Sequence, residues 1–176
     1  MELLFNISDT KGLAAQYPDK AGDRDKTLSK EIIEEVFPAY EQRGYLTKKE
    51  FLKVCDWKTP RTKPRCERND EDFIRVISSL VKTTKSERLR IQAWTLLEGV
   101  GWPTASVFLH FAFPDKYPIL DFRALWSLST EVPKQYTFQF WQKYSEFCRE
   151  LACKAGVTMR ELDQALWVYS KLNQGK

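Results

Sequence analysis

Apolar residues recur along most of the chain at intervals of three and four positions, which is the spacing of one face of an α-helix. Alternation of apolar and polar residues, the pattern of a half-buried strand, is scarce. Stretches with the helical spacing begin near residues 29, 47, 70, 86, 103, 121, 137 and 158. The pattern therefore predicts an all-α fold of about eight helices.

Residues suited to helix ends bound these stretches. The predicted N-terminal caps are Ser29, Thr47, Asn69 or Asp70, Ser86, Asp121, Thr137 and Thr158. Pro38 is expected to kink the first of these helices, which Gly44 ends. Two prolines within residues 57–68 exclude a regular helix there.

The length of 176 residues is typical of one domain, and a hydrophobic fraction of 43% is enough for a core. We predict a polar N-terminal segment over residues 1–28, which wraps the surface, and a single helical domain over 29–176. The net charge of +4 is compatible with a polyanionic partner but does not require one.

Cysteine and histidine usage argues against a disulfide scaffold or a multi-histidine metal site. The cysteines form no Cys-x-x-Cys pair and are expected to be free thiols in a reducing compartment; they are Cys55, Cys66, Cys148 and Cys153. His110 is the single histidine and is expected to be structural. No apolar run is long enough to span a bilayer, and no secretory signal is recognised, so a cytoplasmic location is expected.

The stretch WKTPRTKPR, residues 57–65, is here called the basic loop. Its cations have no acid between them and are Lys58, Arg61, Lys63 and Arg65. Clustered cations bind phosphates, and Trp57 can stack on an exposed base or fold into the core. A solvated charged loop is the alternative. A second cluster either extends the same face or is an exposed helix surface: Lys82, Lys85, Arg88 and Arg90.

The stretch LEGVGWPTA, residues 97–105, predicts a tight turn between two helices. Gly99 and Gly101 permit a backbone conformation or a close approach that a side chain would forbid. Pro103 suits the first turn of the following helix. The unpaired N–H groups at that helix start attract an anion such as a nucleic-acid phosphate. Alternatively, the glycines merely let two helices turn sharply.

At this point the chain resembles the helix-hairpin-helix DNA glycosylase superfamily, which includes endonuclease III and the adenine glycosylases. Those proteins carry the hairpin Leu-Pro-Gly-Val-Gly-x-x-Thr-Ala, and Glu98 here replaces its proline. The sequence YPILD, ending at Asp121, is similar to the acid-bearing loop of the adenine glycosylases. The resemblance is strong over residues 97–121 and faint over about 47–170.

The resemblance implies a glycosylase-like helical domain with its hairpin over 86–113 and its acid-bearing loop over 114–121. Asp121 matches the catalytic aspartate, which steers water or stabilises an oxocarbenium-like sugar. Pro103 stands where bifunctional members have a lysine, so no lyase activity is expected. The residues matched to DNA-backbone binding through the hairpin are Gly99, Val100, Gly101 and Thr104.

The family often holds a monovalent cation on the carbonyls of this turn, so such an ion is possible at Gly99–Gly101. No other cofactor is expected. Cys148 and Cys153 do not match the iron–sulfur loop of endonuclease III, so no cluster is predicted. The candidates for a base pocket or wedge are Trp57, Trp102, Phe122 and Arg123. Phe122 and Arg123 depart from the small or polar residues usual after the family's aspartate.

The resemblance predicts a monofunctional DNA glycosylase that binds double-stranded DNA, flips a damaged or modified base and hydrolyses its N-glycosidic bond using Asp121. Two alternatives stay open: a non-catalytic helix-hairpin-helix DNA-binding module, and a helical protein-interaction scaffold. Asp121 alternatively serves only as a helix cap. For DNA repair, the expected location is the nucleoid in a bacterium or the nucleus in a eukaryote.

Overall fold

The computed structural model of the chain describes residues 1–175, and within them the fold is all-α, without strands. The predicted all-α class is therefore confirmed. The α-helices are α1 (Thr10–Ala15), α2 (Tyr17–Ala21), α3 (Asp23–Glu31), α4 (Phe37–Arg43), α5 (Lys48–Lys58), α6 (Lys63–Cys66), α7 (Glu71–Thr83), α8 (Glu87–Trp94), α9 (Trp102–Ala112), α10 (Phe122–Ser127), α11 (Phe138–Ala155) and α12 (Met159–Asn173). Short 3₁₀ turns lie at Ile7–Asp9 and Pro60–Thr62. None of the helices described is long and apolar enough to cross a lipid bilayer.

Two compact units make up the chain. The terminal unit combines residues 1–22 with the residues from 114 onward, and the middle unit spans residues 23–113. The predicted hairpin region lies in the middle unit, whereas the acid-bearing loop lies in the terminal unit. The boundary predicted at residue 29 does not coincide with a boundary between the units.

The terminal unit is built on α12, along which α1 and α2 pack. Tyr17 is buried and meets Trp167 edge-on, with ring centroids 5.3 Å apart. The hydroxyl of Tyr169 donates a hydrogen bond of 2.8 Å to the Leu4 carbonyl. The N-terminal segment, predicted to be a polar surface wrap, thus forms short helices and contributes Tyr17 to the core.

The middle unit has an aromatic centre. Phe108 of α9 stacks on Trp94 of α8 at 4.2 Å and on Phe51 of α5 at 5.4 Å. All three side chains are completely buried. Burying such rings contributes about 2–3 kcal/mol each, so the contacts fix α8 and α9, the two helices of the hairpin, on α5.

The predicted cap at Ser29 is wrong, because the helix begins earlier, at Asp23, and Ser29 lies inside α3. The expected kink before Pro38 takes the form of a π-helical segment over Ile32–Val36. Pro38 has no N–H to donate to the carbonyl four residues earlier, and the Phe37 amide donates to the Ile32 carbonyl instead.

The remaining predicted helix starts are mostly confirmed. Side chains accept hydrogen bonds from the first helical turn at Thr47, Ser86, Asp121, Thr137 and Thr158. Asp70 occupies the N-cap of α7 without a side-chain cap bond. Two leucines with the helical apolar spacing are nevertheless exposed: Leu89 in α8 is 41% accessible, and Leu96 in the turn that follows is 63% accessible.

Candidate nucleic-acid interface

The hairpin turn joins α8 to α9 through residues 95–101. Gly99 has a φ of +80°, in the left-handed region that favours glycine. Gly101 is extended, with φ −95° and ψ 177°, and is exposed. Val100 between them is only 6% accessible. The backbone conformation therefore requires glycine at position 99 but not at position 101. The buried Val100 side chain anchors the turn in the middle unit.

Gly99 also packs directly on α6. A Cβ atom at this position would lie 2.6 Å from Cys66 Sγ, 2.9 Å from the Cys66 nitrogen and 3.1 Å from Arg65 Cβ. Real Cβ atoms do not approach other atoms this closely, so only glycine fits. Arg65 belongs to the basic loop, and the structure thus brings together two segments that the sequence assigned separately to DNA-backbone binding.

The start of α9 offers backbone amides to an acceptor. The first intrahelical hydrogen bond runs from the Ala105 amide to the Gly101 carbonyl, at 2.8 Å. The amides of Trp102 and Thr104 precede it, and Gly101 has no side chain that would cap them. The Thr104 side chain is buried, so it is through its backbone that this residue can face a ligand. These amides and the helix dipole favour an anion.

The cations of the basic loop differ in exposure. Arg61 and Arg65 are exposed, whereas Lys58 and Lys63 are half-buried. Arg68, just beyond the loop, is also exposed, and its guanidinium lies 3.8 Å from the Glu98 carboxylate. Sequence analysis missed this pairing because it joins residues far apart in the chain. Both side chains face solvent, so the ion pair adds little stability.

Asn69 ties the same two segments together through its buried amide. Its Nδ2 donates to the Glu98 carbonyl at 2.9 Å and to the Cys66 carbonyl at 2.8 Å, and its Oδ1 accepts from the Glu98 amide at 2.8 Å. Sequence analysis offered Asn69 as a helix cap and missed this role. An asparagine between a basic segment and a helix start was the available signal.

Two cations of the second cluster bind carbonyls at helix ends. Lys82 donates to the Glu41 carbonyl at the end of α4. Arg90 donates to the carbonyls of Thr84 and, at 3.3 Å, Val81 at the end of α7. Cations there complement the negative end of the helix dipole. Lys82 and Arg90 therefore have structural partners, which favours the helix-surface interpretation for them.

Asp121 lies in the terminal unit, as the N-cap of α10. Its Oδ1 accepts a hydrogen bond of 2.9 Å from the Arg123 amide, which confirms the predicted cap. The preceding residues hold it firmly, because Leu120 is fully buried and the Tyr144 hydroxyl donates to the Ile119 carbonyl at 2.7 Å. Asp121 itself is half-buried, so its carboxylate is presented from a fixed loop.

A tyrosine accompanies this carboxylate. Burial raises the pKa of Tyr136, and the negative charge of Asp121 raises that pKa further. Tyr136 therefore stays protonated at neutral pH and keeps its hydroxyl hydrogen. Sequence analysis did not select it, since no motif residue marks its position.

Two of the base-pocket candidates follow Asp121 directly. Phe122 is 51% accessible and lines a cavity of about 450 Å³ together with Trp126, four residues later on α10. The Arg123 guanidinium lies 5.1 Å from the Phe122 ring centroid and 5.6 Å from that of Trp167. The terminal unit thus has aromatic surface beside the candidate acid. Trp126, which is not among the candidates chosen from the sequence, is a second aromatic side chain of this surface.

The two tryptophan candidates lie in the middle unit. The Trp57 indole donates a 2.8 Å hydrogen bond to Ser29 Oγ and meets Phe111 edge-on at 5.3 Å. These contacts integrate Trp57 into the unit, in line with the core alternative. Trp102 is half-buried and begins α9 beside the exposed Gly101. Of the two, Trp102 lies closer along the chain to the exposed start of α9.

The thiols of Cys55 and Cys66 interact beneath the hairpin turn. Both residues are buried free cysteines. A hydrogen bond with Cys55 lowers the pKa of Cys66 to about 7, against the opposing effect of burial. The same hydrogen bond and burial raise the pKa of Cys55. Of the two thiols, Cys66 is therefore the one that ionises first.

No group of three or more His, Cys, Asp or Glu side chains within residues 1–175 could hold a metal ion. For the monovalent cation predicted at the turn, backbone carbonyls would be the ligands. The carbonyls of Glu98 and Gly101 already accept hydrogen bonds, from Asn69 and Ala105. A carbonyl oxygen has a second lone pair, so these hydrogen bonds do not prevent cation binding. The cation at this turn stays a prediction.

Comparison of the sequence with models of protein families, with curated proteins and with solved structures gives no match. The resemblance to helix-hairpin-helix glycosylases therefore rests on residues 97–121 and stays a prediction. Functional inference has to proceed from the geometry of the hairpin, the basic loop and Asp121.

Proposed function

We propose that this protein binds double-stranded DNA through its hairpin and basic loop and hydrolyses the N-glycosidic bond of a damaged or modified base. The observation that carries the proposal is the close approach of Gly99 to Arg65 and Cys66. Through this contact the glycine turn that leads into α9 lies against a basic segment of the middle unit. That combination suits the phosphate backbone of a nucleic acid.

Binding in this proposal is electrostatic and independent of sequence. The amides of Trp102 and Thr104 bind one phosphate, and Arg61 and Arg65 neutralise neighbouring ones. Each neutralised phosphate releases condensed counterions, so the affinity falls as salt rises. The exposure of both arginines supports this role, since neither has to leave a buried position.

In the chemical step, Asp121 acts on the sugar of the flipped nucleotide. The bond between C1′ and the base nitrogen breaks with its electron pair going to the base, the oxygen of water bonds to C1′, and the proton that this water gives up passes by way of the carboxylate and solvent to the departing base. The carboxylate stabilises the positive charge that develops on the sugar and takes a proton from the water. The half-buried, rigidly held position of Asp121 supports this role, because a loosely held acid contributes little.

Selectivity in this proposal begins with base flipping. Extruding a base costs a few kcal/mol and is cheapest at a mismatch or lesion. An aromatic surface is needed to receive the base, and Phe122 with Trp126 offers one in the terminal unit. Burial and the charge of Asp121 raise the pKa of Tyr136, which keeps its hydroxyl proton at neutral pH.

The direct experiment is incubation of the protein with duplexes that carry a panel of modified bases, followed by alkaline cleavage at abasic sites. Asp121→Asn is the matched variant, because Asn caps a helix about as well as Asp. We expect strand breaks with the wild type and none with Asp121→Asn, whose thermal unfolding stays unchanged. Equal product from both proteins would exclude Asp121 as the catalytic carboxylate.

The alternative functions give different results in the same assay. A DNA-binding module retains salt-dependent binding in both proteins and forms no abasic site with any duplex. A protein-interaction scaffold shows no salt-dependent DNA binding at all. The first result would overturn the proposed glycosylase activity, and the second would overturn the proposed DNA binding.

A further inference from the structure

The buried amide of Asn69 is placed to control the shape of the candidate phosphate site. Its side chain is 5% accessible and makes three hydrogen bonds between 2.8 and 2.9 Å. Two of them engage both backbone polar groups of Glu98, the residue before Gly99. The third engages Cys66, which packs against Gly99 from the other side.

These bonds do not serve as a helix cap. Asp70 occupies the N-cap of α7, and both Nδ2 bonds of Asn69 go to carbonyls outside that helix. A buried amide whose hydrogen-bond partners lie on two segments of the chain fixes the distance between those segments. Here the segments are the hairpin turn and the end of α6, which carries Arg65.

Glu98 directly precedes Gly99, so the hydrogen bonds between Asn69 and Glu98 act on the backbone at the candidate phosphate site. When Asn69 fixes the Glu98 backbone, it fixes the entry to Gly99 and the left-handed turn that leads to the α9 amides. It also fixes Arg65 relative to that turn through Cys66. Loss of the amide would leave the Glu98 N–H without its partner and allow the two segments to separate.

We propose that Asn69 is a positioning residue for DNA binding, which holds the hairpin amides and Arg65 in register so that they engage adjacent phosphates. The inference rests on the proposed DNA-binding function and adds to it the residue that assembles the site. Asn69 carries no charge and touches no DNA itself in this account.

The test is the slope of log affinity against log salt for a duplex oligonucleotide, measured for the wild type and Asn69→Ala. The substitution changes no charge, so a smaller slope means that fewer phosphates are engaged because the site has changed shape. We expect the magnitude of the slope to decrease by about one and the affinity to decrease about tenfold near 0.1 M salt. Asn69→Ser, which retains one hydrogen-bonding group, should give an intermediate slope and guards against a failure of Asn69→Ala to fold.

Ser78→Ala is the matched control for simple destabilisation. Ser78 is buried in the same unit, accepts from the Leu46 amide at 2.9 Å and donates to the Ile74 carbonyl at 2.7 Å. We expect it to lower the unfolding temperature without changing the salt slope. If the folded Asn69 variants also keep the wild-type slope, the positioning role is overturned while DNA binding stands. If the wild type shows no salt-dependent binding, the proposed function itself fails.

Discussion

Gly99 lies against Cys66 so closely that a Cβ atom would come within 2.6 Å of the cysteine Sγ. This contact joins the hairpin turn to α6 and is the basis of the candidate interface. It also gives the hairpin glycine a structural function that is independent of any ligand. The sharp-turn interpretation of this glycine therefore holds, and it is compatible with the phosphate binding that we propose.

Gly99→Ala is expected to destabilise the protein more than the same change at another left-handed glycine. The Cβ clash and the positive φ together should cost about 2–4 kcal/mol. Gly44→Ala is the control, because Gly44 has a φ of +87° but open space around its Cβ position, and should cost about 1–2 kcal/mol. Chemical denaturation measures both. Equal costs would show that the contact with Cys66 relaxes freely.

Glu98→Gln is expected to strengthen DNA binding. The Glu98 carboxylate is a negative charge at the turn and holds Arg68 at 3.8 Å. Its removal lessens repulsion of a phosphate and releases one cation, which should raise affinity roughly fivefold to tenfold at moderate salt. Glu87→Gln, on α8 in the same unit, is the control with the same change in charge. Titration of a labelled duplex compares them, and equal affinities for the two variants would contradict a phosphate site at the turn.

The thiol pair predicts an early titration. Because the pKa of Cys66 is lowered to about 7, its thiolate should form as pH rises through that value, below the range of an ordinary cysteine. Ultraviolet absorbance of the thiolate follows this step. We expect Cys66→Ser to abolish it, Cys55→Ala to shift it to higher pH, and Cys153→Ser, at an exposed cysteine, to leave it unchanged. A wild-type protein without a thiolate near neutral pH would contradict the interaction between the thiols.

The helix caps were predictable because they depend on residues close in sequence. The capping boxes at Thr47 and Thr158 need a partner three residues away, and both form as predicted. Ser29 was misassigned because its cap was predicted from neighbouring residues alone. Its local pattern suits a cap, whereas its hydroxyl accepts from Trp57, which is distant in sequence.

The candidate site was predictable only in parts. Motif residues indicated Gly99 and the basic loop separately, but their contact depends on the packing of α6 under the turn. Asn69 and Glu98 are 29 positions apart in the sequence, and the spacing of apolar residues does not predict the hydrogen bonds that join them. Such pairings depend on tertiary structure, and an asparagine beside a helix start is equally typical of a cap.

The central claim is that the hairpin and the basic loop bind DNA phosphates, and the salt dependence of duplex affinity tests it most directly. Arg65→Ala removes the cationic side chain whose Cβ lies next to Gly99, and Arg75→Ala, a control with the same loss of charge, removes one that pairs with Glu71 on α7. Log affinity falls as log salt rises, so the slope is negative. We predict that Arg65→Ala reduces the magnitude of this slope by about one, while Arg75→Ala retains the wild-type slope. Identical slopes for the two variants, or a wild-type affinity that does not change with salt, would contradict it.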